Sequence, residues 1–116
     1  MNDSKSNKFI ALYLIPSAVM ADWAKTDPDT RKPAEEKMKT EWQQWMKIHA
    51  KMVKLTEAVG KTKRITASGI ADGKNDICLY SIIEADSHEA AAKIFEKHPH
   101  LQIPQASIEV MAVRGM

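Results

Sequence analysis

The stretch Phe9-Ile10-Ala11-Leu12-Tyr13-Leu14-Ile15-Pro16 decides how the rest of the chain is read. It is apolar without alternation, too short for a membrane span, and closed by a residue that cannot donate to a strand ladder. That pattern predicts a strand covered on both faces and ending near Ile15. Asp76-Ile-Cys-Leu-Tyr-Ser-Ile-Ile-Glu84 repeats the pattern, and Ser107-Ile-Glu-Val-Met-Ala-Val113 gives a last strand. Between them, Lys61 to Ile70 reads as a polar edge strand, where lysine discourages stray pairing. Ala71-Asp72-Gly73-Lys74-Asn75 then supplies a turn, with Asp-Gly its strongest signal.

Two helices separate these strands. Residues 26–33 carry turn chemistry and two prolines, so the first helix is expected to open at Pro33. Met38, Trp42, Trp45, Met46, His49, Met52 and Val53 recur every three or four residues opposite Lys39, Gln43, Lys47, Lys51 and Lys54. That is an amphipathic stripe, extended by Leu55 and Val59 and ended by Gly60. A short helical piece from Ser17 carries Met20 and Trp23. The second helix opens at Ala85-Asp86-Ser87-His88-Glu89, with Asp86 and Glu89 spaced as a capping box and Ser87 the alternative cap. Ala90, Ala91, Ile94 and Phe95 form its apolar face, and Pro99 stops it.

Strand, helix, strand, strand, helix, strand is the split βαβ order of an α+β, ferredoxin-like βαββαβ sandwich with a four-stranded antiparallel sheet. Residues 1–7 are read as a frayed terminus and 8–116 as one domain. Alternation along the strands sets Phe9, Tyr13 and Ile15 against Ile10, Leu12 and Leu14, and Ile108 and Val110 against Met111 and Val113. Two helices cover one face of such a sheet and leave the other bare. So large an apolar patch is rarely left in water. A homodimer through the sheet faces is therefore expected, with a barrel-like interior between the two copies.

Composition narrows the function. The 116 residues are 44% hydrophobic and 28% charged, ordinary for one globular domain. The single Cys78 cannot form an internal disulfide, and the polar start lacks a secretory pattern, so a cytoplasmic protein is expected. A net charge of +2 with three arginines argues against nucleic acid, and no apolar run argues for a membrane. The charge is uneven. Residues 1–64 hold thirteen basic and eight acidic side chains, and residues 65–116 hold four and seven. This reads as a solvated basic helix face or as a steering field for an anion or a second subunit. Phosphate loops, nucleophile elbows, paired-cysteine zinc motifs and dinucleotide fingerprints are absent, so no cofactor is expected.

Several motifs resemble those of YCII-related proteins, in the dimeric α/β barrel superfamily. These are Asp22-Trp23, Glu41-Trp42-Gln43-Gln44-Trp45, Gly60-Lys61-Thr62-Lys63, Ala85-Asp86-Ser87 with Glu89-Ala90-Ala91, and His98-Pro99-His100-Leu101 with Ile108-Glu109-Val110-Met111. The resemblance runs from about Phe9 to Met116. It implies the ferredoxin-like fold and the dimer, but no known reaction. Some members are thought to pair an aspartate with a histidine just after the first strand. Here the first histidine is His49, so only the Asp86-Ser87 part carries over.

The sharpest chemical feature is His98-Pro99-His100. It reads as an acid–base pair, as part of a metal site with Asp86, Glu109 or His49, or as a helix stop with His100 holding a loop. Spacing alone names no metal site. Asp86 is a cap or a carboxylate orienting a histidine. His49 is a core histidine or a desolvated base. Trp42 and Trp45 are core or, with Trp23 and Tyr13, the aromatic wall of a ligand site, and Asp22 gates that pocket or caps a turn. The expected function is a small-molecule enzyme using His98, His100 and Asp86 in a Trp-lined cleft between the first helix and the sheet. The alternative is a non-catalytic dimeric module binding a ligand or a protein.

Overall fold

A computed structural model describes residues 7–114. The expected frayed terminus lies outside these residues except for Asn7, which opens the first strand. The elements are β1 (Asn7–Leu14), α1 (Ser17–Ala24), α2 (Pro28–Ile48), β2 (Val53–Ala58), β3 (Thr62–Thr66), β4 (Gly69–Gly73), β5 (Ile77–Ala85), α3 (His88–Lys93) and β6 (Ser107–Ala112). A single 3-10 turn, Pro99–Gln102, lies between α3 and β6, so Pro99 does not stop the second helix as expected: α3 ends at Lys93, and Pro99 starts the 3-10 turn that His98 caps. The protein is α+β. One four-stranded antiparallel sheet has the order β2-β5-β1-β6, and β3 and β4 form a separate two-stranded hairpin.

The apolar strand at residues 9–15 is central, as its lack of alternation requires. Phe9, Ala11, Tyr13 and Ile15 are buried, and Ile10, Leu12 and Leu14 are half-buried on the other face. The buried face meets Ile83 and Ala85 of β5, Trp45 of α2, and Ala91 and Phe95 at the end of α3. Ser87, not Asp86, caps α3: its side chain accepts from the Ala90 N–H at 3.0 Å. Ser87→Ala is expected to cost about 1 kcal/mol, read as a lower urea midpoint.

Three further expectations need correcting. First, α2 starts at Pro28, not Pro33. Asp27 accepts from the Asp29 N–H at 3.1 Å and Pro28 fills the first helical position, a complete start five residues earlier. Second, α2 ends at Ile48 and does not run on to Val59. The N–H groups of Met52 and Val53 both turn back to the His49 carbonyl, at 3.0 Å each. The chain then leaves as β2, which is the edge strand beside β5. Met52, Val53 and Leu55 continued the helical spacing by coincidence, and pairing with β5 overrode it. A register shift between Val53 and Leu55 marks a bulge there.

Third, residues 61–70 are not an edge strand of the main sheet. The stretch is folded in two as β3, a turn at Ala67-Ser68, and the start of β4. Gly69 explains the turn position, because its φ of +125° is open to glycine and strained for any side chain. The Asp72-Gly73 pair lies at the end of β4 instead. Among the described residues no helix is long and apolar enough to cross a membrane.

The face of the sheet turned away from α2 and α3 carries one rung that is apolar across all four strands. Leu55, Ile82, Ile10 and Met111 lie side by side in register. The next rung, Glu57-Tyr80-Leu12-Glu109, is apolar in the middle and acidic at both edges. On the other side, Glu84 pairs with Lys8 in register and forms an ion pair with Lys54 at 4.0 Å.

Candidate functional site

Tyr13 sends its ring from β1 into the layer beneath α2. Around it stand Trp42 at 5.2 Å between ring centroids, His98 and His100 at 5.4 Å each, and Phe95 at 6.0 Å. Trp45 closes the cluster, 4.4 Å from His98, and His49 packs on Trp45 at 4.6 Å. The fold thus gathers five of the residues singled out from sequence, Tyr13, Trp42, Trp45, His98 and His100, with His49 at the margin. Helical spacing brings Trp42, Trp45 and His49 to one side of α2. The short path through Pro99 brings both imidazoles under them.

Both imidazoles are 1% exposed. His98 caps the 3-10 turn, its Nδ1 accepting from the His100 N–H at 2.9 Å. Its ring proton therefore belongs on Nε2, which has no hydrogen-bond partner. The imidazole stands nearly perpendicular to Trp42, with ring centroids 4.3 Å apart. Burial, then the nearby His100 and His49, push the His98 pKa down to about 3. His100 Nε2 donates to the Leu14 carbonyl at 3.0 Å, tying the loop to the end of β1. Burial lowers its pKa as well, against the opposing pull of the Leu14 and Ser107 backbone. Burial also lowers that of His49. These histidines are neutral imidazoles of a packed layer.

A chain of hydroxyls crosses the same layer. Tyr13 and Ser81 share a hydrogen bond of 2.8 Å, and Ser81 and Thr56 share one of 2.7 Å. Burial pushes the Tyr13 phenol up to about 12, so it stays protonated. Ser81 and Thr56 were not singled out from sequence. The one signal was Ser81 itself, a lone hydroxyl in an otherwise apolar run.

The remaining candidates stand apart. Asp86 is exposed at the entry to α3, with its carbonyl accepting from Asn7 at 3.3 Å. Its carboxylate therefore orients neither imidazole. Asp22 and Trp23 lie on α1, where both are exposed, and the Trp23 indole N–H donates to Glu35 at 3.3 Å. The expected cleft between first helix and sheet is filled by the aromatic side chains themselves. Among the described residues no group of three or more His, Cys, Asp and Glu is placed to hold a metal. A shallow hollow of about 500 Å³ lies on the opposite face of the sheet, bordered by Ile10, Leu12, Ile77, Tyr80, Lys61 and Lys63 among others. None of its lining residues belongs to the imidazole cluster.

No protein-family profile matches the chain, and no curated protein matches it.

Proposed function

We propose that the chain is a non-catalytic, homodimeric binding module on a ferredoxin-like sandwich, two copies packing bare sheet face to bare sheet face as in a dimeric α/β barrel. The carrying observation is the rung Leu55-Ile82-Ile10-Met111, apolar from edge to edge and uncovered by any described element. The order β2-β5-β1-β6, with α2 between β1 and β2 and α3 between β5 and β6, supports the ferredoxin-like assignment. The resemblance to YCII-related proteins agrees with both. The lone Cys78 fits a reducing, cytoplasmic setting.

A binding role is favoured over acid–base chemistry by where the imidazoles sit. They are sealed among aromatic rings, depressed in pKa, and remote from the exposed Asp86 carboxylate. The ligand site belongs instead to the hollow over Ile10 and Leu12, which a second copy would roof. Its apolar floor and its two lysines suit a small apolar carboxylate.

Sedimentation at micromolar concentration is expected to give a dimer. Ile10→Asp should give folded monomers, because it places two like charges in a desolvated interface while leaving the core under α2 intact. A wild-type chain that sediments as a 13.0 kDa monomer at every concentration refutes the proposal.

A further inference from the structure

The hairpin β3–β4 projects without support. It pairs internally from Thr62↔Gly73 to Thr66↔Gly69 and is joined to neither edge of the main sheet. Near its tip, Ile65 and Ile70 face each other across the strands, 69% and 73% exposed. Two-stranded hairpins are marginal in water on their own, and an exposed isoleucine pair adds nothing to one until it is covered.

We infer that this hairpin is a clasp that closes on a second copy of the chain, seating Ile65 and Ile70 against the partner and continuing the interface of the bare sheet face. The inference rests on the face-to-face dimer proposed above. Three observations choose the occupant. The clasp leaves the body at the rim of the bare face, since Lys61, Thr62 and Lys63 border the same hollow as Ile10 and Leu12.

Area is the second. The four strands, of 8, 6, 9 and 6 residues, outline a flat area of roughly 460 Å² per copy. A stable interface covers about 800 Å² per partner. The sheet face outlines only part of such an area, and a second contact surface would enlarge the interface.

Charge is the third. Residues 61–74 hold Lys61, Lys63, Arg64 and Lys74 against a single Asp72, with which Lys63 forms an ion pair. The bare face of the sheet ends in Glu57 on one edge and Glu109 on the other. A basic clasp and acidic edges on the same chain complement each other between two copies.

The test is sedimentation of wild type, Ile10→Asp, and the double variant Ile65→Asp with Ile70→Asp, with circular dichroism as the check on folding. Both isoleucines are exposed, so the double variant should keep the wild-type spectrum. Its dimer dissociation constant should rise by at least about tenfold. High salt should weaken the wild-type dimer, and Lys61→Glu with Arg64→Glu should weaken it at low salt. A double variant that dimerises like wild type, while Ile10→Asp is monomeric, overturns the clasp and leaves the sheet-face dimer standing. A wild-type monomer overturns both.

Discussion

Tyr13→Ala should lower the unfolding free energy by about 3–5 kcal/mol, a large share of the roughly 5–15 kcal/mol typical of such a domain. Tyr13 is wholly buried, and its ring touches Trp42, Phe95, His98 and His100. Alanine leaves a cavity where β1, α2 and the Pro99–Gln102 turn meet. It also strips a partner from the buried Ser81 hydroxyl, which would then have Thr56 alone. Tyr13→Phe separates the two effects. It keeps the ring and removes only the hydroxyl, so the expected loss is about 1 kcal/mol. Urea unfolding of the two variants beside wild type measures both. A phenylalanine variant as unstable as the alanine one would mean that the hydroxyl chain, and not ring packing, holds this layer together.

Acid should destabilise the protein well above the range in which carboxylates titrate. His98 is held neutral, with a native pKa of about 3 against an ordinary value of 6.5. The unfolded chain therefore binds more protons than the native one as the pH falls below 6.5. Stability is fully present above that value and is lost progressively as the pH drops toward 3. Each pH unit in that window costs about 1.4 kcal/mol for one such proton. His100 and His49 are also depressed and act with the same sign. The urea midpoint of wild type should thus fall steeply between neutral pH and about pH 4.

His98→Asn should be less stable at neutral pH, because the 3-10 turn loses its snug imidazole cap. Its midpoint should nevertheless fall less over the same range. Parallel curves for the two proteins would show that His98 is not the group responsible. The orphaned Nε2 makes the same point structurally. A second proton would have to go on Nδ1, which accepts from the His100 N–H, so protonation would break the cap while Nε2–H stays buried without a partner.

Much of this architecture could be read from local pattern. Residues 9–15 and 77–83 had no polar face, so both had to be inner strands. Trp42, Trp45 and His49 had helical spacing, whereas Pro99, expected to stop the second helix, instead opens the 3-10 turn beside the two histidines. The bare, apolar rung followed from counting two main helices against four strands. Each of these rests on periodicity and on what a single residue type allows.

Long-range pairing settled the rest. Val53 to Ala58 is a strand because β5 offers it an edge, while its own sequence continued the helical stripe of α2. Residues 61–70 fold back on themselves because Gly69 takes a conformation that a pattern of apolar and polar letters does not encode. Asp86 and His98 lie a dozen residues apart in the chain, and nothing local says that one carboxylate ends in water and one imidazole in the core. Spacing could gather His98, His100, Tyr13, Trp42 and Trp45 into one list. Whether they surround a cleft or fill it depends on how closely α2 approaches the sheet. That distance is a property of the assembled side-chain volumes, and here the aromatic rings leave no gap for His98 Nε2 to find a partner.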